Sequence, residues 1–207
     1  MTTNRPFGVI LAGGLARRMG GGDKPLKMLG DETMLARIIR RVAPQCAALA
    51  LNANGDPGRF AAFDLPVIAD SIADYPGPLA GILAGLEYVA IHHPSIDTVL
   101  SIPADCPFLP ADLAVRLETA RQSMSMPLTA AASGGWTHPV IGLWPVSLRD
   151  ALRASLTAGE RKIDRFTARF GIAHAEWPVE PFDPFFNANA PEDLAVAETL
   201  ARRYPDA

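Results

Sequence analysis

A chain of 207 residues, 49% of them apolar, is long enough for one domain with a substantial core and excludes a disordered chain. No apolar run approaches the roughly 18 residues of a membrane span, and the polar MTTNRPF start is too short for a signal peptide, so a soluble cytoplasmic protein is expected. The net charge of −3 is uneven: residues 1–41 carry eight Lys and Arg against three Asp and Glu, which argues against a broad nucleic-acid-binding face and for a small anionic ligand near the amino terminus.

In chain order, Phe7–Ala12 (FGVILA) is a continuous apolar run closing on Gly13-Gly14, the pattern of a strand buried on both faces. The following stretch, LAGGLARRMGGGDK from Leu11 to Lys24, holds five glycines, two arginines and a lysine. It fits neither the P-loop pattern, because Pro25 follows Lys24, nor the spacing G-x-G-x-x-G. TMLARIIRRVAPQC predicts a helix capped by Thr33, with Leu35, Ile38, Ile39 and Val42 on one apolar face. Arg37, Arg40 and Arg41 read as its solvated side.

ALALNAN and LPVIAD predict a second and a third strand, LAGILAGLEYVAIHH a helix, and DTVLSIPADCP a fourth strand. PADLAVRLETARQ reads as a helix with Pro110 in its first turn. In PLTAAASGGWTHPVIGLWP two strands meet around Ser133-Gly134-Gly135, an antiparallel element expected at the sheet edge. Helices over Ser147–Thr157 and Lys162–Phe170, a strand over Ile172–Trp177 and a last helix from Pro191 complete the pattern. Cys46 and Cys106 show no metal spacing and are expected as free thiols.

Alternating strands and helices predict an α/β fold, a single-domain Rossmann-like three-layer sandwich whose mostly parallel sheet gains an antiparallel element in the C-terminal half. The nucleotide-binding half would cover about residues 7–125 and the acceptor-binding half about 126–207. Open parallel sheets bind ligands at the carboxyl ends of their strands. Those ends are Gly13-Gly14, Asn52, Asp70 and Asp105.

Each end has a chemistry. Backbone N–H groups of a glycine turn make a nest for anions, and Arg17, Arg18 and Lys24 supply countercharge to more than one phosphate. Asp105, between Pro103 and Pro107, is a carboxylate suited to Mg²⁺ beside a polyphosphate. Asn52 and Asp70 offer short polar groups to a ribose or base, and DYPGPLAG (Asp74–Gly81) forms a rigid wall for a flat ring. His138, Asn187 and Asn189 are further candidates, although Asn189 also suits a helix-capping role. No nucleophile triad, carboxylate pair or zinc spacing stands out, which leaves charge stabilisation around a metal and phosphates.

VILAGGLARRMGGGDK resembles the signature of the sugar-nucleotide-pyrophosphorylase-like nucleotidyltransferases. With LNAN, VIADSIADYPGPLAG, PADCPFLPADL, HPVIGLW, AGERK and FNANAPEDL, all in family order, the chain more narrowly resembles the MobA-type molybdenum cofactor guanylyltransferases. The resemblance implies transfer of GMP from GTP to the terminal phosphate of a molybdopterin-type cofactor, with Mg²⁺ as cofactor and pyrophosphate as by-product. It implies that Leu11, Ala12, Gly13 and Gly14 line the nucleotide, that Arg18 and Lys24 bind phosphates, and that Asn52 and Asp70 contact the guanosine. Asp105 would hold the metal, the Pro76–Gly81 stretch with Gly81 would recognise guanine, and His138, Arg161, Asn187 and Asn189 would face the acceptor. Where many sugar-nucleotide relatives place a second metal-binding Asp, this chain has Asn187 or Asn189. The implied partners are molybdenum-insertion proteins and recipient molybdoenzymes or their chaperones, with no nucleic acid and no membrane. The alternatives are CMP transfer to the same cofactor, nucleotide transfer to a sugar phosphate, and a non-catalytic carrier of the same fold.

Overall fold

In the computed structural model, which describes residues 5–13, 23–72 and 77–205, the apolar run after the amino terminus forms strand β1 (Phe7–Leu11). Its residues alternate between two cores: Phe7 and Val9 enter one, Ile10 the other, so an unbroken apolar run serves a strand covered on both faces. A small hairpin of β2 (Met28–Leu29) and β3 (Glu32–Thr33) leads to α1 (Met34–Val42). Thr33 caps this helix, its hydroxyl accepting from the Ala36 N–H at 3.1 Å.

The chain continues through β4 (Ala48–Asn52), β5 (Val67–Ile68), α2 (Pro78–His92), β6 (Thr98–Pro103) and α3 (Leu113–Ser123). It then forms β7 (Leu128–Ser133), β8 (Trp136–Pro145), α4 (Arg149–Thr157), α5 (Ile163–Thr167), β9 (Ile172–Trp177) and α6 (Pro191–Arg203). One seven-stranded sheet has the order β5-β4-β1-β6-β8-β7-β9. Only β8 runs against its neighbours, pairing antiparallel with both β6 and β7, while β9 pairs parallel with β7.

Two layers of helices cover the sheet, which makes the three-layer α/β sandwich predicted. Leu35, Ile38 and Val42 of α1 and Leu113 and Leu117 of α3 pack with Ile10, Ile102 and Leu143. Leu79, Leu83 and Leu86 of α2, Leu152 and Leu156 of α4 and Phe166 of α5 pack with Val9 and Trp144 on the other side. Helix α6 adds a smaller cluster in which Ala197 and Ala201 meet Leu29 and Phe108.

Several expectations need correction. The antiparallel element is not at the edge: β8 lies inside the sheet, and β9 closes the end. Pro110 precedes α3, where its carbonyl accepts from the Leu113 N–H at 3.3 Å, and α5 spans only Ile163–Thr167. Arg37 is not solvated. It is buried, its guanidinium 5.3 Å from the centroid of the Phe108 ring, and it donates to Glu32 and to the Tyr204 carbonyl, tying α1 to the chain after α6. Of its two companions Arg40 is exposed, and Arg41 donates to the Leu109 carbonyl.

Cys46 and Cys106 are buried free thiols. Burial pushes the Cys46 thiol up to about 12. Among the described residues no helix is long and apolar enough to cross a membrane.

Candidate active site

Strand β1 lies between β4 and β6, with Leu11 opposite Asn52 on one side and Pro103 on the other. Adjacent strands are about 4.8 Å apart, so the ends of β4 and β6 lie about 10 Å apart across β1. From β1 the chain moves to β4 and β5, then returns to the far side of β1 as β6. The carboxyl ends of β1 and β6 therefore flank the topological switch point, where open sheets of this kind take their ligands.

Two polar clusters occupy this edge. In the first, Ala12 N–H donates to the Asn52 carbonyl at 2.9 Å, and the buried Asn52 amide donates to the Ile68 carbonyl at 3.1 Å and to Asp70 Oδ1 at 2.9 Å. Asn54 donates to Asp70 Oδ2 at 2.8 Å, so two asparagines hold both oxygens of one carboxylate. Gly81 lies within the first turn of α2 and faces this cluster. A Cβ there would come within 2.8 Å of both Asn52 Cγ and Leu11 Cδ2, and nearer still to Asn52 Oδ1. Only glycine lets the helix approach the strand ends so closely.

In the second cluster Lys24 Nζ donates to Asp105 Oδ2 at 2.9 Å and to Asn189 Oδ1 at 2.7 Å. The Lys24 ammonium thus ties together parts of the chain as much as 165 positions apart. The side chains of Lys24 and Asp105 keep 14% and 27% of their exposure, enough to meet a ligand and little enough to limit screening by water. Asn187 sits beside them, its Oδ1 accepting from Cys106 Sγ at 3.0 Å, and the Ala188 N–H donates to the Asp105 carbonyl at 3.0 Å. Burial, and after it the Asp105 charge, push the Cys106 thiol well up, so it acts as an S–H donor. Asn189 does not cap α6; Asp193 does so, its carboxylate accepting from the N–H groups of Asn189 at 2.9 Å and Ala190 at 2.8 Å.

The remaining expected residues fall as follows. His138 lies near the start of β8, and Arg161 lies between α4 and α5, whose buried residues belong to the other side of the sheet. Gly13 sits 3.8–3.9 Å, measured from its would-be Cβ, from Asn52 and Ala53. Gly14, Arg17, Arg18 and Pro76 lie outside the described residues.

Sequence reading missed four groups that organise the site. Asn54 braces Asp70, and Arg59 binds Asp23 at 2.6 Å next to Lys24 while also donating to the Asn54 carbonyl at 2.7 Å. Cys106 orients Asn187, and Asp183 belongs to a hydrogen-bonded chain with Ser133 and His138. The only signal for Asn54 and Cys106 was their place beside Asn52 and Asp105; Arg59 and Asp183 had none.

The donor set can be tested against a metal. Among the described residues no group of three His, Cys, Asp or Glu side chains forms a closed metal cage. Among the described residues Asp105 Oδ1 has only a 3.9 Å contact with Cys106 Sγ, which leaves its lone pairs open to a ligand. Mg²⁺ characteristically takes one or two carboxylates and completes its octahedron with phosphate oxygens and water, so a single open carboxylate at an anion site fits it.

An open, mostly parallel sheet carrying a lysine–carboxylate pair at its switch point and an asparagine–aspartate cluster on the adjoining strand ends defines a nucleotide-handling α/β protein of the nucleotidyltransferase type. The sequence profile of the MobA-like NTP transferase domain matches residues 8–175. The molybdenum cofactor guanylyltransferase of Rhodopseudomonas palustris strain BisB5 is 61% identical over 196 residues, which cover 94% of this chain and 93% of that protein. Its counterpart from Cereibacter sphaeroides strain ATCC 17029 is 46% identical over 200 residues, covering 96% of this chain and 98% of that protein. Among solved structures, the molybdopterin-guanine dinucleotide biosynthesis protein A of Archaeoglobus fulgidus has the same fold, with a TM-score of 0.73 at 22% identity over 95% of this chain and 99% of that one. The chain belongs to the family of MobA-like NTP transferases, among the molybdenum cofactor guanylyltransferases.

Proposed function

We propose that the protein transfers GMP from GTP to the terminal phosphate of a molybdopterin-type cofactor, releasing pyrophosphate. The observation that carries the reading is the Lys24–Asp105–Asn189 cluster at the end of β6, beside the end of β1, in a chain of this family. In this reading one domain has a nucleotide half, about residues 7–125, and an acceptor half, about 126–207.

The acceptor phosphate attacks the α-phosphorus of GTP in line, one P–O bond forming as the bond to pyrophosphate breaks. A phosphate monoester with a second pKa near 6 is mostly dianionic at neutral pH, so no side chain need remove a proton. The obstacle is repulsion between anions. Lys24 has three N–H donors, of which Asp105 and Asn189 take two, leaving one, among the described residues, for a phosphate oxygen. Arg18 and the amides of the glycine loop, Gly13 and Gly14 among them, add positive potential. When bound, Mg²⁺ held by Asp105 and phosphate oxygens supplies charge against the triphosphate.

Leu11, Ala12, Asn52 and Asp70 line the nucleotide, with the Pro76–Gly81 stretch, whose second half opens α2, against the guanine. His138, Arg161, Asn187 and Asn189 serve the acceptor. Asn187 and Asn189 suit this because their oxygens are oriented by Cys106 and Lys24.

Pyrophosphate release with the pterin cofactor supplied and GTP, CTP or UTP as donor tests the nucleotide assignment. GTP should be preferred by at least roughly 10²-fold, the discrimination that a site hydrogen-bonded to one base edge reaches. A preference for CTP would transfer the protein to the cytidylyl-type alternative.

A further inference from the structure

On β7 and β8, Ser133 faces Trp136 and Ala131 faces His138, so these four residues project from one side of the sheet. Ala131 and Trp177 of that side belong to the core under α1 and α3, the same core that holds Ala104 and Cys106 around Asp105. Ser133 Oγ is 2.7 Å from His138 Nε2 and 2.9 Å from Asp183 Oδ1. Asp183 is held in turn, because its Oδ1 also accepts from the Phe185 N–H at 2.9 Å.

The proton arrangement follows from counting donors. A carboxylate only accepts, and a serine hydroxyl has one proton. Ser133 therefore gives its proton to Asp183, and the remaining bond requires His138 Nε2 to be the donor. The neutral imidazole is then the Nε2–H tautomer, with its lone pair on Nδ1. Burial lowers the His138 pKa, partly opposed by Asp183 and then Glu176, which favours that neutral form. His138 is half-buried, and among the described residues its Nδ1 makes no hydrogen bond. It is open to a ligand.

The segment from Asp183 to Asn189 joins this ring to the phosphate side. The His138 ring packs 4.8 Å from Phe185, and Asn189 binds Lys24. Six residues of chain span at most about 20 Å. A ligand with a phosphate at one end and a flat heterocycle at the other can reach both.

Given the assignment of the acceptor to this half, on which the idea rests, we propose that His138 Nδ1 accepts a hydrogen bond from a ring N–H or amino group of the acceptor's heterocycle, and that Ser133 and Asp183 are positioning residues that fix its tautomer.

Two measurements test this. Nitrogen-15 NMR of the imidazoles in the unmutated protein should show His138 with a protonated Nε2 and a bare Nδ1, and Ser133→Ala or Asp183→Asn should release that single tautomer. A proton on Nδ1 of the native protein overturns the idea without reference to activity. In kinetics, His138→Gln preserves a donor near Nε2 but offers no acceptor near Nδ1, whereas His138→Asn places an amide oxygen near Nδ1. His138→Gln should raise the KM for the pterin cofactor about tenfold while leaving the KM for GTP within about twofold, and His138→Asn should recover most of the loss. An unmoved cofactor KM with wild-type transfer intact overturns the inference and leaves the guanylyltransferase reading standing. An unmutated protein that makes no dinucleotide contradicts both.

Discussion

The Asp105→Asn variant is expected to lower kcat by roughly 10³-fold, about 4 kcal/mol of transition-state stabilisation, while the protein stays folded. The substitution keeps the size and one oxygen of the side chain and removes the charge, so Lys24 retains a hydrogen-bond acceptor but loses its ionic partner. The backbone bond from Ala188 N–H to the residue 105 carbonyl is untouched. The partly exposed ion pair it breaks contributes at most about 1 kcal/mol to stability, so a large kinetic loss would not be hidden unfolding. Because Lys24 and Asp105 touch, Lys24→Met added to Asp105→Asn should cost much less than the product of the two single losses. Chelation of divalent cations should bring the unmutated protein towards the same floor. Undiminished turnover in Asp105→Asn would remove the residue from the reaction.

The second large effect concerns Gly81. The Gly81→Ala methyl would meet Leu11 Cδ2 and Asn52 Cγ at 2.8 Å unless α2 or Asn52 shifts. Overpacking of this kind costs about 1–3 kcal/mol of stability. Its particular consequence is displacement of the Asn52 amide from Asp70, which should raise the KM for GTP by about tenfold or more. Gly85→Ala is the control. One turn along the same helix, its Cβ would meet Val9 Cγ2 at 2.6 Å, a clash inside the apolar core and away from the polar cluster. Gly85→Ala should lower Tm to a similar degree and leave the KM for GTP unchanged. If the two variants behave alike in both respects, Gly81 acts through packing alone.

Much of this geometry was readable before any coordinates. The two-sided burial of β1 followed from an apolar run without alternation, and the placement of Gly13, Asn52, Asp70 and Asp105 along one edge followed from the rule that parallel sheets take ligands at their carboxyl strand ends. Thr33 was recognisable as a cap from its position before a 3.6-residue period. What escaped depended on contacts between distant parts of the chain. Asn189 reads locally as the start of a helix, yet its side chain lies on Lys24 because Asp193 supplies the cap instead. Arg37 reads as a surface residue until α6 and the chain after it cover that side of α1. The β7–β8 hairpin was visible, but periodicity says nothing of which of its strands pairs with β6. The Ser133–His138–Asp183 chain had no local signal, since Asp183 lies fifty positions from Ser133 in a segment without regular structure.

The central claim is acceptor-dependent guanylyl transfer, and isotope fate tests it most directly. GTP labelled at the α-phosphorus and, separately, at the γ-phosphorus should be incubated with the protein, Mg²⁺ and the pterin cofactor, and the products resolved. The account predicts α-label in the cofactor dinucleotide and γ-label in pyrophosphate, in equal amounts and only when the cofactor is present. Label in GDP and inorganic phosphate, or label release that is indifferent to the cofactor, would contradict it.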